Sequence, residues 1–408
     1  MTQRFVIIGA GHAGAAAAQE LARAVASGAL EAEIALVDAD AGLPYERPAL
    51  SKEWLTAETF PEAAPHDWAA AGIAFHGGRH AERIDAGARE VALADGTRLG
   101  YDRLLLAPGG TPRRLPVPGG EACHVLRTAA DSRLLHAALR KGGHLAVIGA
   151  GVIGLETASS ARKLGLEVTV IEAGDRVMAR SLPPEISALL QARHEAAGVQ
   201  FLFGAAITGI ATRADGRQVV SLKDGSVLAA DLMVAGIGFD ADTALAATAG
   251  LKLDRGILVD ADGQSSVPGI FAAGDATVFP GPSGAPQCWQ TWQHARRHGA
   301  HVARRMAGLA SDYAPVHWFW TDQQGLNLQV LGDPLGADDC VLRGAPERPQ
   351  TRLYLRDGRI AGAVMIDQGR DTRPVTALIE SGAVVEKGLL EDPSVQLRSL
   401  NARKAVNA

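Results

Sequence analysis

The sequence predicts an α/β protein with two doubly wound, nucleotide-binding units and a separate C-terminal α+β domain. Three observations predict it. A strand, glycine loop, helix, strand and acid follow one another in the order Phe5–Asp38. The same order repeats in full at Leu145–Glu172. From Val316 the composition changes to Trp-rich, hairpin-like segments. The implied boundaries are 1–108 with 233–315 for the first domain, 109–232 for the second and 316–408 for the third.

In the first unit, the apolar run Phe5–Ile8 reads as a buried strand and ends in Gly9-x-Gly11-x-x-Gly14. The Ala-rich pattern Ala13–Val25 is the helix. Gly9 permits the tight turn, Gly11 lets the backbone approach a pyrophosphate, and Gly14 lets helix and strand pack closely. The helix N-terminus then faces the negative charge. A second strand, Ile34–Val37, ends in Asp38, placed to accept hydrogen bonds from a ribose 2′-hydroxyl.

The stretch Pro44–Lys52 is broken by prolines, and Ser51 stands where it would cap a short helix Lys52–Leu55. Its place just beyond the second strand lets Arg47 and Lys52 reach across a bound nucleotide. Val91–Leu93 and Leu99 onward flank the turn Ala94-Asp95-Gly96 and read as a hairpin. Arg103–Ala107 is a buried strand, and the Pro- and Gly-rich run from Pro108 to Arg113 marks a domain crossing.

The second unit has strand Leu145–Ile148, Gly149-x-Gly151-x-x-Gly154, helix Leu155–Leu164 and strand Val168–Ile171, ending in Glu172. Two complete fingerprints in one chain make a chance turn a poor explanation. Glu172 suits a free 2′-hydroxyl and repels a 2′-phosphate, which predicts NADH over NADPH. Arg176 and Arg180, a few residues on, read as a solvated loop. Another hairpin spans Val219–Ala235, and the run Leu232–Ala235 ends abruptly in Gly236-Ile237-Gly238. Asp275 follows a short buried strand, and Gln290–Leu309 is a helix.

Composition narrows the function classes. The chain has 408 residues, 47% of them hydrophobic, and a formal net charge of −5. That charge argues against a general nucleic-acid binder. No apolar run reaches the roughly 18 residues of a membrane span. The first strand starts almost at once, so a cytoplasmic protein without signal peptide is expected. Cys123, Cys288 and Cys340 form no C-x-x-C, so buried, inert thiols are expected.

With these stretches in view, the chain resembles the FAD-dependent, NADH-dependent ferredoxin reductases of oxygenase systems. The matching stretches are Gly9–Gly14, Arg47–Lys52, Leu126–Thr128, Gly149–Gly154 with Glu156, Gly236–Gly238, Gly274-Asp275 and Trp318–Gln323. The resemblance implies two Rossmann-like domains of the glutathione-reductase type. It implies FAD, held non-covalently, on the first fingerprint (Gly9, Gly11, Ala13, Gly14) with Asp38, Arg47, Lys52, Ala81, Arg127, Asp275 and Trp292. It implies NADH on Gly149, Gly151, Ile153, Gly154, Glu156, Glu172 and Gly236, with Lys52 and Glu156 meeting beside the reacting rings. Gln290 and His294 stand where Glu and Asn are common in that family.

The implied activity is hydride uptake from NADH onto FAD, then single-electron delivery to a 2Fe–2S ferredoxin serving a Rieske-type oxygenase or a cytochrome P450. Two alternatives stay open: an NADH oxidase or quinone-type reductase with no protein acceptor, and an NADH-binding redox sensor of the apoptosis-inducing-factor type. No metal site is expected. His294, His298 and His301 recur at helical spacing and read as a solvated helix face. His294, Arg297, His301 and Arg304 recur at spacings of three and four and, with Arg296 and Arg305 flanking, form a basic stripe. That stripe, with Trp320 nearby, is the expected docking face for an acidic ferredoxin.

Overall fold

A computed structural model describes residues 2–42, 44–62, 66–281, 284–345 and 349–402. The chain divides into two compact units: 1–46, 62–111 and 239–315 in the first, and 47–61, 112–238 and 316–408 in the second.

The first unit is organised on a five-stranded sheet in the order Ile270–Ala272, Arg103–Leu106, Gln3–Ile8, Ala32–Asp38, Ile73–Gly77. Every pair in it is parallel. Such strands bury both faces, which is why they read as unbroken apolar runs rather than alternating ones. Phe5, Ile7, Leu36, Leu104 and Leu105 are fully buried. The helix His12–Ala26 follows the first strand and packs on the helix Trp292–Met306. A small antiparallel sheet, Ala81–Asp85 with Glu90–Leu93 and Arg98–Gly100, contains the expected hairpin.

The second unit repeats the design on a four-stranded parallel sheet, Val199–Leu202, Glu167–Ile171, His144–Ile148, Leu232–Ala235. It also holds an antiparallel five-stranded sheet ordered Trp318–Gln323, Leu326–Gly332, Arg359–Ile366, Gln350–Arg356, Asp339–Arg343. The helix Thr372–Ser381 covers that sheet through Val375 and Leu378, which are buried in its core.

In both parallel sheets the strand order reverses beside the first strand, so the chain leaves that strand's two sides in opposite directions. Ligands of open α/β sheets bind at this point, outside the carboxyl ends of the strands. Each glycine loop lies there. Gly9 follows Ile8, and Gly149 follows Ile148.

Residues 47–61, placed in the first domain by the sequence, pack in the second unit instead. Ser132 Oγ donates to the Leu50 carbonyl at 2.9 Å and Ser160 Oγ to the Ser51 carbonyl at 2.7 Å. These long-range bonds leave no trace in local pattern. Of the three cysteines, only Cys123 is buried; Cys288 and Cys340 are partly exposed, and all three are free. Among the described residues no helix is long and apolar enough to cross a membrane.

Candidate active site

The two glycine loops have the same construction. Gly9 and Gly149 sit at φ +99° and +97°, a region closed to most side chains. A Cβ on Gly14 would lie 1.7 Å from the Gly9 carbonyl oxygen, and one on Gly154 2.1 Å from that of Gly149. Close helix–strand packing therefore requires both third glycines. Gly151 differs: a Cβ there would meet only the Gly236 carbonyl oxygen, at 3.8 Å. Protein packing does not require glycine at that position, whereas the approach of a pyrophosphate does. Gly11 and Gly151 are the helix N-caps, and neither helix has a side-chain cap or an acid in its first turn. Both helix ends thus offer backbone N–H groups to an anion.

The strand-end acids are held alike. Asp38 accepts from Ala10 N at 2.5 Å and Asp40 N at 2.7 Å; Glu172 accepts from Ala150 N and Gly174 N, both at 2.7 Å. Each carboxylate is thereby fixed beside its own glycine loop. Arg176 is not on a solvated loop as expected. Its guanidinium donates to Leu182 O at 2.6 Å, Ser187 Oγ at 2.8 Å and Ala179 O at 2.9 Å. It clamps the 179–187 turn, while Arg180 is exposed.

In the first unit, the other residues singled out for FAD gather around the first loop. Ala13 packs against Gly274, where an added Cβ would come within 2.7 Å of the Ala13 methyl, and against Gly299. This sets the Gly274–Ala276 turn, and Asp275 in it, on the first turn of the fingerprint helix. Ala81 belongs to the core cluster formed with Ile8 and Val37, and Arg79 N, two residues earlier, donates to Asp38 O at 2.9 Å. Trp292 Nε1 donates to Glu46 Oε2 at 2.6 Å, and Arg296 lies 4.6 Å over its ring.

The three histidines of the helix Trp292–Met306 do not form a solvated face. His294, His298 and His301 are 2%, 1% and 5% exposed. They stack with Tyr313 and Phe279. His294 Nδ1 lies 2.7 Å from the Tyr313 hydroxyl, and His298 Nδ1 accepts from Gly274 N at 3.2 Å. Burial holds His298 well below the usual histidine range. The basic stripe therefore shrinks. Arg304 pairs with Glu20 at 3.0 Å and Arg305 with Asp262 at 2.7 Å, leaving Arg296 and Arg297 as its exposed members. The imidazoles turn inward because aromatic neighbours from 279 and 313 cover that face, which periodicity alone does not reveal. No cluster of metal-ligating side chains occurs among the described residues.

In the second unit, Lys52 and Glu156 meet, as the resemblance implies, with Nζ 3.5 Å from Oε1. Glu156 is the fifth residue of the helix Val152–Lys163 and only 3% exposed. It also accepts hydrogen bonds from Ser51 Oγ and from Thr321 Oγ1, the latter at 2.6 Å. Burial pushes its carboxyl above the ordinary range, against the pull of the Lys52 ammonium and the two hydroxyls. Lys52, itself 12% exposed, lies 3.5 Å from Asp322 and 5.6 Å over the Trp320 ring. Ser51 does not cap the short helix, which spans Glu53–Thr56 and has Lys52 at its N-cap; its hydroxyl is used by Glu156. Arg47 donates to Arg127 O at 3.4 Å. Ile153, at the second helical position, is an exposed apolar residue. From sequence, Ser51 is expected only as a helix cap and Thr321 has no expected role. A signal for Thr321 exists: it and Gln323 are polar residues on the buried face of the strand Trp318–Gln323.

The pyridine nucleotide-disulphide oxidoreductase description matches residues 3–299, and a reductase C-terminal description matches 318–401. The chain belongs to the pyridine nucleotide-disulphide oxidoreductase family. It is 38% identical over 406 residues to the anthranilate 1,2-dioxygenase system ferredoxin–NAD(+) reductase component of Burkholderia cepacia, covering 97% of this chain and 98% of that one. Among solved structures it is similar to the ferredoxin reductase for the CYP199A2 system from Rhodopseudomonas palustris. There the TM-score is 0.92 and the identity 34%, covering 98% of this chain and 99% of that one. It is also similar to putidaredoxin reductase in its covalent complex with putidaredoxin, at TM-score 0.91 and 33% identity, with 99% of each covered. FAD and NAD(H) are the cofactors of this family member, and the glycine loops fit them. The three cysteines, Cys123, Cys288 and Cys340, are free and far apart in sequence.

Proposed function

We propose that this chain takes hydride from NADH onto FAD and passes electrons singly to a 2Fe–2S ferredoxin that serves an oxygenase. The observation that carries the reading is likeness over almost the whole length of both chains to reductases named for ferredoxin partners. FAD, when bound, supplies the change from two-electron uptake to one-electron release. The chain supplies placement and electrostatics. Gly9, Gly11, Ala13, Gly14, Asp38, Arg47, Lys52, Ala81, Arg127, Asp275 and Trp292 hold FAD, as the resemblance implies. Gly149, Gly151, Ile153, Gly154, Glu172 and Gly236 hold NADH, with Glu172 selecting the free 2′-hydroxyl. Glu156 fixes the Lys52 ammonium, and that fixed charge favours negative charge developing on an acceptor beside it.

The ferredoxin docks against exposed basic side chains, Arg297 foremost, with Trp320 near the electron exit. The test is ferredoxin reduction at low ionic strength. Arg297→Glu slows it and flattens its salt dependence, while NADH-to-ferricyanide turnover is unchanged. Arg304→Glu has the smaller effect on docking, because Glu20 already neutralises Arg304. Wild-type ferredoxin turnover in Arg297→Glu would remove this face from the reading.

A further inference from the structure

Beyond the Lys52–Glu156 pair, a chain of hydrogen bonds runs into the second unit's interior. Thr321 Oγ1 donates to Glu156 Oε1 at 2.6 Å. Gln323 Nε2 donates to Thr321 Oγ1 at 2.8 Å. His194 Nε2 lies 3.0 Å from Gln323 Oε1, which only accepts, so that nitrogen carries the proton. Gln324 Nε2 approaches His194 Nδ1 at 3.5 Å. Each of these hydrogen bonds donates toward Glu156, and Gln323 Nε2 also lies 3.8 Å from Met178 Sδ.

The elements that bring these groups together are far apart in sequence. His194 is the fully buried eleventh residue of the helix Pro184–Ala196. Thr321 and Gln323 are alternate residues of an edge strand, hence on one face. The strand ends in a tight Gln324-Gly325 turn with both residues at positive φ. In it Gln324 N donates to Ser159 Oγ of the fingerprint helix at 2.9 Å. Gln324 is one of few non-glycine residues held in that conformation, and the turn secures the strand's register against Glu156. Among the described residues, the charged and titratable groups facing this chain are Lys52, Asp322, Glu156 and His194.

We propose that Thr321, Gln323 and His194 are positioning residues. Their one-directional hydrogen-bond chain keeps the Glu156 carboxylate an acceptor and so holds the Lys52 ammonium in place during flavin reduction. A proton on Glu156 Oε1 would need the Thr321 hydroxyl to turn, and the Gln323 amide already occupies its other side. The inference rests on the proposed role of Lys52 and Glu156.

The experiment uses the flavin-loaded protein and NADH. Flavin reduction at saturating NADH is followed against pH by stopped flow in wild type, Thr321→Val, Thr321→Ser, Gln323→Leu and Glu156→Gln. Removing one hydroxyl donor from a charged acceptor makes it easier to protonate. Thr321→Val therefore moves the acid midpoint of the rate up by about one pH unit, an about fivefold loss at the wild-type midpoint that approaches about tenfold well below it. Apparent NADH affinity stays unchanged, and Thr321→Ser restores the profile. A second readout is independent of turnover: nitrogen-15 histidine spectra place the His194 proton on Nε2 in wild type, and Gln323→Leu loses that preference.

A wild-type midpoint in Thr321→Val, with Glu156→Gln slow, overturns the chain and leaves the Lys52–Glu156 role standing. A wild-type rate in Glu156→Gln overturns both. If Thr321→Val loses flavin, Gln323→Leu carries the same test with a smaller upward shift, and no shift overturns the proposal. A His194 proton found on Nδ1 overturns it as well.

Discussion

Replacing Glu156 by Gln separates chemistry from stability, because the structure predicts opposite consequences for the two. The carboxylate is 3% exposed and takes hydrogen bonds from Ser51 and Thr321 and the pairing of Lys52. Each hydrogen bond to a charged acceptor is worth about 1.5–3 kcal/mol, and burying an ion costs several kcal/mol. The raised pKa of Glu156 shows that burial outweighs its donors. An amide of the same volume therefore returns at least as much stability as it forfeits. The sign follows from proton uptake. The folded state binds the Glu156 proton more tightly than the unfolded chain does. Wild-type stability thus falls as pH rises from the ordinary carboxylate range through the folded value, and Glu156→Gln lacks that slope. The melting temperature of Glu156→Gln at neutral pH is expected within about 4 °C of wild type or above it, roughly 1 kcal/mol. Lys52, left with the half-exposed Asp322 alone, swings outward. Flavin reduction at saturating NADH then slows at least about tenfold, ~1.4 kcal/mol of barrier. Stopped-flow reduction and thermal melts across pH measure both. A reduction rate within about twofold of wild type would refute the reasoning, and a rate kept alongside a collapsed melting temperature would leave Glu156 only a structural role.

Further outcomes follow from the same geometry. Glu172→Ala should reduce the preference for NADH over NADPH by about tenfold in kcat/KM, since the carboxylate is fixed by Ala150 N and Gly174 N and Arg176 is engaged elsewhere. Equal use of the two cofactors by the wild type would contradict this. Gly14→Ala should yield protein without yellow colour: a Cβ 1.7 Å from the Gly9 carbonyl forces helix and loop apart, at about 1–3 kcal/mol or more. Full flavin content in that variant, by absorbance after gel filtration, would count against the loop's role. Acid should loosen the first unit through His298, which is buried and kept neutral. The unfolded chain binds the proton first, so this contribution is intact above the usual histidine range and is lost as pH falls below it. Melting temperatures of wild type and His298→Asn should converge in acid, and parallel curves would exclude the effect.

Sequence alone carried the α/β class and both fingerprints, because these rest on local rules. A strand buried on both faces must be continuously apolar, a turn at positive φ requires glycine, and a helix needs 3.6-residue periodicity. Gly9–Gly14 with Asp38 and Gly149–Gly154 with Glu172 were legible for that reason. The meeting of Lys52 and Glu156 came from resemblance, not from spacing. Tertiary structure alone decided what depends on distant partners. The histidines of 294–301 face inward because Phe279 and Tyr313 cover them. Arg176 and Arg304 are engaged by groups their own neighbourhoods do not announce. Residues 47–61 join the second unit through the hydroxyls of Ser132 and Ser160. Glu156 gathers Ser51 and Thr321 across separations of 105 and 165 residues. A buried carboxylate must find donors wherever the fold supplies them, and no local pattern encodes which ones arrive.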